Sequence, residues 1–600
     1  MAAPGQPAVV CAVTLLDRHS HRYAVDITVN TPAAMQRVSL PVWIPGSYLV
    51  REFSRHLQQL RARQGRRELT ARQLDKNTWE VGCNTAAPLR LRYEIVAFDN
   101  SVRAAWLDAR RGFFNGTSMF LRVHGQESQV HALELRRAGA PRGWQIATAL
   151  RAVKAGSDGF GVYQADNYEQ LTDSPVEIGR FWQGSFVCRG VPHRMVVAGA
   201  AATFDGARLL ADTQRICEAA MAFWHGPAAG GRARQAPHAS YVFMLNAVDD
   251  GYGGLEHYNS SALICARKDL PRLATAKANG AAPRQPDGYA SLMGLISHEY
   301  FHTWNVKRLR PAEFASYDYD RENYTQLLWF FEGFTSYYDE LLLRRCALTD
   351  DGQYLKQLTR TINQVLQAPG RLVQSVAQAS FDAWVKYYRQ DENTPNATIS
   401  YYSKGAAVAL CLDLSLRSQG KTTLDDVMRG LWQRCRAGPM AQADLLQVLQ
   451  DLSGTDWSAQ IAQWVHSTGE LPLKELLLQH GVAVLEEPAQ VAQALGLRVV
   501  ESGGVQIKTV LRGSAAEQGG MAAGDEWIGI EAVGTKGADQ AWRITRLDEI
   551  AIYASAGQPL FALVARDKRL LRLRLQLPPA VTTWRLAVGD AAMLTRWLAG

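Results

Sequence analysis

"SLMGLISHEYFHTWNVKRLRP", residues 291–311, is an apolar run of helical period that carries His298 and His302 four positions apart. Glu299 directly follows the first histidine. On an α-helix, residues four apart face the same way, so the two imidazoles can reach one ion. Glu299 lies about 100° round the helix, where it cannot be a third ligand but can reach a water held by the metal. That is the mechanical content of an HExxH element: two ligands and a general base. The competing reading is an ordinary core helix whose histidines hydrogen-bond to their surroundings.

A catalytic zinc takes three protein ligands and keeps a fourth position for water. Downstream, "LLWFFEGFTSYYDE" (residues 327–340) sets Glu332 among Trp329, Phe330, Phe331 and Phe334. A carboxylate is costly to bury unless it is paired or metal-bound, so Glu332 is the candidate third ligand. Two imidazoles and a carboxylate make zinc the default divalent ion.

Around this segment the pattern changes three times along the 600 residues. From about 8 to 165, short alternating segments such as "RYAVDITV" and "LRLRYEIVAF" predict a β-sandwich-like region. Near 170, strands such as "HRMVVAG" and "SYVFMLN" begin to alternate with helical stretches such as "DTQRICEAAMAFWH". The glycine- and alanine-rich stretch 274–289 predicts a loop. Helical periods then dominate 288 to about 470. From about 480, "LRVVESGGVQIKTVL", "DEWIGIEAV", "LFALVA" and "LLRLRLQL" predict a strand-rich unit with one helix near "LDEIAIYA".

Composition excludes several classes. The net charge of +8 is modest for the length and the arginines are spread, so no nucleic-acid partner is expected. No apolar run approaches the roughly 20 residues of a membrane span. The eight cysteines form no CxxC pair, and the start "MAAPGQPAVVCAVTLLDRHS" has no basic residue before its apolar run. A reducing, cytoplasmic setting without membrane attachment is expected, with "VVCAVTLL" as a first strand. The basic "KRLR" (residues 307–310) is expected as a solvated surface after the helix.

"SHEYFHTWNVKRLRP" (297–311) and "WFFEGFTSYYDELLLRR" (329–345) resemble the M61 family of metallopeptidases, the glycyl aminopeptidase group of the gluzincins. The resemblance implies a multidomain α+β chain. Its parts would be an N-terminal β-rich, sandwich-like domain (1–168), a thermolysin-like zinc peptidase domain with a mainly helical second half (169–475), a PDZ domain (476–580) and a C-terminal tail (581–600). It implies His298, His302 and Glu332 as ligands of one Zn2+, with Glu299 as the catalytic base.

Two further elements follow from the resemblance. "GYGGLEHYNSS" (251–261) is similar to the G-x-M-E-N element of aminopeptidases, an edge strand lining the cleft. This implies Gly253, Gly254 and Glu256 as substrate-binding residues, with Glu256 on the free α-ammonium; Leu255 and His257 depart from the pattern. "ISYYSKGAAVAL" (399–410) resembles the Y-x-K-G element whose tyrosine steadies the oxyanion, which implies Tyr402, with Tyr401 as the fallback. The aspartate that orients a ligand histidine in such sites is replaced by Ser336, leaving Asp339, two turns on from Glu332, as the candidate.

"ALGLRVV" (494–500) followed by "GVQIKTVLRGSAAEQGGMAAGDEWIGIEAVG" (504–534) resembles a bacterial PDZ domain. Leu495, Gly496 and Leu497 would then form a carboxylate-binding loop for a peptide C-terminus or extended segment. The expected function is a zinc aminopeptidase that removes small N-terminal residues, glycine or alanine, from peptide substrates. The alternatives are a zinc endopeptidase, or a PDZ-based peptide-binding adaptor with little catalysis.

Overall fold

A computed structural model describes residues 7–226, 236–273, 288–532, 541–579 and 581–599. Most of the expected loop at 274–289 lies outside the described residues. The chain divides into two compact units, one of Met1–Tyr324 with Leu431–Ala441, the other of Thr325–Gly430 with Gln442–Gly600.

The first unit begins with an eight-stranded sheet in which Val9–Asp17 pairs antiparallel with Arg22–Val29 and parallel with His131–Leu135. Period-two patterning explains its strands. In Leu89–Val96, Leu89, Leu91, Tyr93 and Ile95 are buried while Arg90 and Arg92 are exposed. Two four-stranded sheets complete this β-rich part. Its apolar core runs on into the next sheet through Val196, Val242, Met244, Leu255 and Ala262.

That next sheet has five strands, in the order Trp182–Cys188, Val191–Ala198, Tyr241–Val248, Ser260–Ala266 and Tyr252–Glu256. The central three run parallel. Tyr241–Val248 is buried along almost its whole length, as an apolar run covered on both faces should be. Tyr252–Glu256 returns antiparallel and forms the edge. The helix Gly206–His225, capped by the Asp205 side chain on the Arg208 N–H, packs on this sheet and on the helix Tyr289–Phe301.

The second unit is helical up to about residue 480. Leu328–Arg345 packs along Tyr401–Gln419. The two backbones meet at glycines: a Cβ added to Gly333 would lie 2.4 Å from the Gly405 Cα. Only glycine permits this approach, so Gly405 of "YYSKG" brings the start of its helix down onto the helix bearing Glu332. The buried Asp413 carboxylate accepts from Tyr337 Oη, Arg417 Nε, the Leu424 N–H and Trp597 Nε1.

Beyond 480, strands Leu497–Val500, Val505–Val510, Glu526–Ala532, Pro559–Arg566 and Arg569–Gln576 form one antiparallel sheet, with Ala541–Arg543 paired to the third. This sheet has a core of its own around Leu495, Ile507, Trp527, Ile530 and Val564. The last twenty residues are more than a trailing tail. Thr582–Val588 pairs antiparallel with Val482–Pro488, and the helix Ala591–Leu598 buries Leu594, Trp597 and Leu598. Among the described residues no helix is long and apolar enough to cross a membrane.

Candidate active site

The helix Tyr289–Phe301 carries His298 and Glu299 in its last turn, and His302 follows as its C-cap. The two imidazoles stand at 88° with centroids 4.6 Å apart, and their Nε2 atoms approach to 3.0 Å. One ligand atom each from His298, His302 and Glu332 all lie within 4.8 Å of one another. His302 is 1% and Glu332 2% exposed.

The local structure prepares His302 to bind a metal. Its Nδ1 lies 2.7 Å from the Asn305 carbonyl oxygen. A carbonyl only accepts, so Nδ1 carries the proton and Nε2 presents its lone pair. The turn that supplies this carbonyl is strained. Val306 sits at φ 121°, a region β-branched residues avoid, at a cost of about 1–3 kcal/mol. In return the Lys307 N–H reaches the His302 carbonyl and the Val306 N–H reaches that of Leu309. Two opposed imidazole nitrogens and one buried carboxylate are the donor set of a zinc site with an open fourth position, so the residues fit that ion. Asp339, the candidate from sequence, accepts from the Glu340 N–H.

Glu299 is 5% exposed and lies against the edge strand. A Cβ on Gly254 would come within 1.9 Å of Glu299 Oε1, so the second glycine of "GYGGLEH" makes room for this carboxylate. Arg103 Nη2 donates to the Gly254 carbonyl at 3.4 Å, and the guanidinium also lies beside Gly253. At the end of the strand Glu256 is buried against Gly46, which takes φ +88° in the loop after Trp43. A Cβ there would lie 2.4 Å from Glu256 Oε1. Glycine is required at 46 both by that dihedral and by the carboxylate above it.

The basic run after the HExxH helix differs from expectation. Lys307 and Arg308 are buried rather than solvated. Lys307 pairs with Asp173 at 2.8 Å, and Arg308 stacks 3.7 Å over the Tyr258 ring. Arg310 reaches Glu169. Burial opposes the charge on Lys307, but Asp173 and also Glu256 keep its ammonium above the ordinary lysine value. Burial likewise opposes ionisation of Asp173, yet Lys307 and His257 hold its carboxyl well below the usual range. The segment that follows fills against the N-terminal loop: Trp43 Nε1 donates to the Asp318 carbonyl and the Val42 N–H to that of Tyr319.

Tyr402 lies in the first turn of Tyr401–Gln419, whose N-cap Ser400 accepts from the Ser403 N–H. It stacks on Tyr401 at 4.7 Å and lies 5.5 Å from the Tyr387 ring. Burial first, and then the Glu332 carboxylate, push its phenol well above the ordinary tyrosine value. Tyr401 is fully buried, whereas Tyr402 is partly exposed. Tyr387, which no motif marks, feels Glu332 as well. In the C-terminal sheet, Leu495 and Leu497 point into the core. Gly496, at φ +70°, closes the helix Val491–Leu495, and its carbonyl accepts from the Leu511 N–H.

Comparison with known proteins places the chain. The family profile described as M61 glycyl aminopeptidase matches residues 291–408, and the profile for the peptidase M61 N-terminal domain matches residues 11–180. The crystal structure of an aminopeptidase N family protein from Idiomarina loihiensis is 34% identical, with a TM-score of 0.90 over 99% of this chain and 100% of that one. An M1 zinc metallopeptidase from Deinococcus radiodurans is a distant likeness at 15% identity and TM-score 0.47, covering 78% of this chain and 94% of that one. No curated protein matches in sequence. The HExxH helix, the Glu332 carboxylate grouped with its two histidines and the near full-length relative agree, and the chain belongs to the M61 glycyl aminopeptidase family of metallopeptidases.

Proposed function

We propose that this metallopeptidase is a zinc-dependent aminopeptidase that removes the first residue, small ones such as glycine or alanine, from peptides. Zinc, when held by His298, His302 and Glu332, supplies an acidified water and polarises the scissile carbonyl. Glu299 takes the proton from the attacking water and later delivers it to the departing amine. The Tyr402 hydroxyl donates a hydrogen bond where the carbonyl oxygen gains charge. Glu256 accepts the substrate's free α-ammonium, with Gly253 and Gly254 presenting the edge strand to the peptide backbone. One observation carries this reading: the strand that ends in Glu256 lies, at Gly254, directly against Glu299. The base and the ammonium acceptor are thus neighbours along one edge, as removal of a single residue demands.

Free-amine and N-acetylated peptides, assayed with and without a chelator, test it. Cleavage confined to free-amine peptides and abolished by the chelator is expected; equal cleavage of acetylated peptides would make the enzyme an endopeptidase. Residues 476–580 are proposed as a PDZ module around Leu495, Gly496 and Leu497. Among the described residues the strand Leu497–Val500 has one neighbour in its sheet, which leaves an edge for an extended peptide to join. Eight cysteines without a disulfide support a cytoplasmic setting.

A further inference from the structure

Asp173 closes the short helix Tyr168–Thr172, and its carboxylate is gripped from three directions. Lys307 Nζ donates to Oδ1 at 2.8 Å and His257 Nδ1 to the same oxygen at 3.0 Å. The Tyr258 N–H donates to Oδ2 at 2.7 Å. The Asp173 side chain is 11% exposed and that of Lys307 4%, so this ion pair is largely out of water. Exposed pairs contribute little, whereas breaking a buried one by removing one partner is strongly destabilising.

The three donors come from two parts of the site. His257 and Tyr258 directly follow Glu256 at the end of the edge strand. Lys307 also gives its backbone N–H to the carbonyl of His302, at 3.0 Å. Arg308 secures the same turn, covering the Tyr258 ring and donating to the Tyr258 and Thr303 carbonyls. The Asp173 carboxylate therefore joins the residue after Glu256 to the end of the HExxH helix. His257, which departs from the asparagine of the aminopeptidase pattern, supplies one of the two strand-side donors.

We propose that Asp173 is a positioning residue that fixes the span between the ammonium-binding Glu256 and the zinc-binding helix, so that only the first peptide bond behind a free α-ammonium meets the catalytic water. This rests on the role of Glu256 given above. One residue of extended chain advances about 3.3–3.6 Å, so a slip of about 1 Å between the two anchors is a large part of one register step.

The test uses the zinc-loaded full chain and three variants: Asp173→Asn with Lys307→Met, His257→Phe, and Glu256→Gln. The double variant removes both members of the ion pair together, so neither is left facing the other's place alone; His257→Phe removes one tether, having no donor to offer Asp173. KM and kcat are measured on a free-amine peptide and its N-acetylated counterpart, with zinc content and Tm. The double variant is expected to keep its zinc, to raise KM for the free-amine peptide about tenfold with kcat changed far less, and to lose about tenfold in preference over the acetylated one. His257→Phe should shift the same ratio in the same direction by less. An unchanged ratio in both zinc-loaded variants overturns the proposal. If Glu256→Gln itself leaves the preference intact, the reading of Glu256 fails; if it removes the preference while the other variants keep it, only the role of Asp173 fails.

Discussion

Gly254→Ala should disable Glu299 without removing it. The added Cβ would stand 1.9 Å from Glu299 Oε1, 2.3 Å from Cδ and 2.5 Å from Cγ, where ordinary contact begins at 3.4 Å. The carboxylate must therefore retreat by about 1.5 Å. Misplacing a reacting group by about 1 Å costs on the order of a hundredfold, and loss of a general base costs about 10²–10⁴ in all. A fall in kcat of about a hundredfold or more is expected. The strand itself tolerates the change, because Gly254 has no left-handed dihedral and alanine loses less entropy on folding. Zinc content should not change, since His298, His302 and Glu332 are untouched. The assay is kcat on a free-amine peptide with zinc analysis and Tm in parallel. A folded, zinc-loaded Gly254→Ala enzyme with kcat within twofold of the parent would refute the assignment of Glu299 as base.

Tyr402→Phe should lower kcat about 10²–10³-fold with KM little changed, as expected for a donor used only when charge develops on the oxygen; steady-state kinetics of Tyr402→Phe and Tyr401→Phe side by side check this, and a larger loss for Tyr401→Phe would reverse the assignment. Stability should fall in mild acid because of His193 and His238, which lie behind the HExxH helix bonded to Tyr300. Burial pushes His193 down to about 4 and His238, also near other cationic groups, to about 2. In the unfolded chain both titrate near 6.5, so below that pH the unfolded state binds protons the folded state refuses. Their contribution is complete above pH 7 and shrinks as pH falls from about 6.5 toward 4 for His193 and toward 2 for His238, by about 4 kcal/mol for the pair at pH 5. Urea unfolding at pH 7.5 and pH 5 measures it; equal stability at the two would contradict it.

What could be read from sequence was whatever a side chain announces through period or incongruity. The four-residue spacing of His298 and His302 needs only a helix, and Glu332 stands out because a carboxylate among aromatics must have a partner. The alternation in Arg22–Val29 and Leu89–Val96 marked the N-terminal strands for the same reason. What supports the site was hidden. Asn305 acts through its backbone carbonyl, which every residue possesses, and the strain that aims it falls on Val306. Lys307 and Arg308 looked like a solvated run because their partners, Asp173 and Tyr258, lie 134 and 50 residues away. Gly46 belongs to a different part of the chain from Glu256, and only the fold shows why it lacks a side chain. The helix that carries Glu332 begins at Leu328, a boundary that residue preference alone does not place.

The most direct test is zinc content by elemental analysis of the purified chain and of Glu332→Ala, each after dialysis against a weak chelator. One zinc per chain in the parent and a clear loss in Glu332→Ala, with the variant still folded, is the expected result. Full zinc retention by Glu332→Ala, or a parent that is active without any bound divalent metal, would contradict a site built from His298, His302 and Glu332.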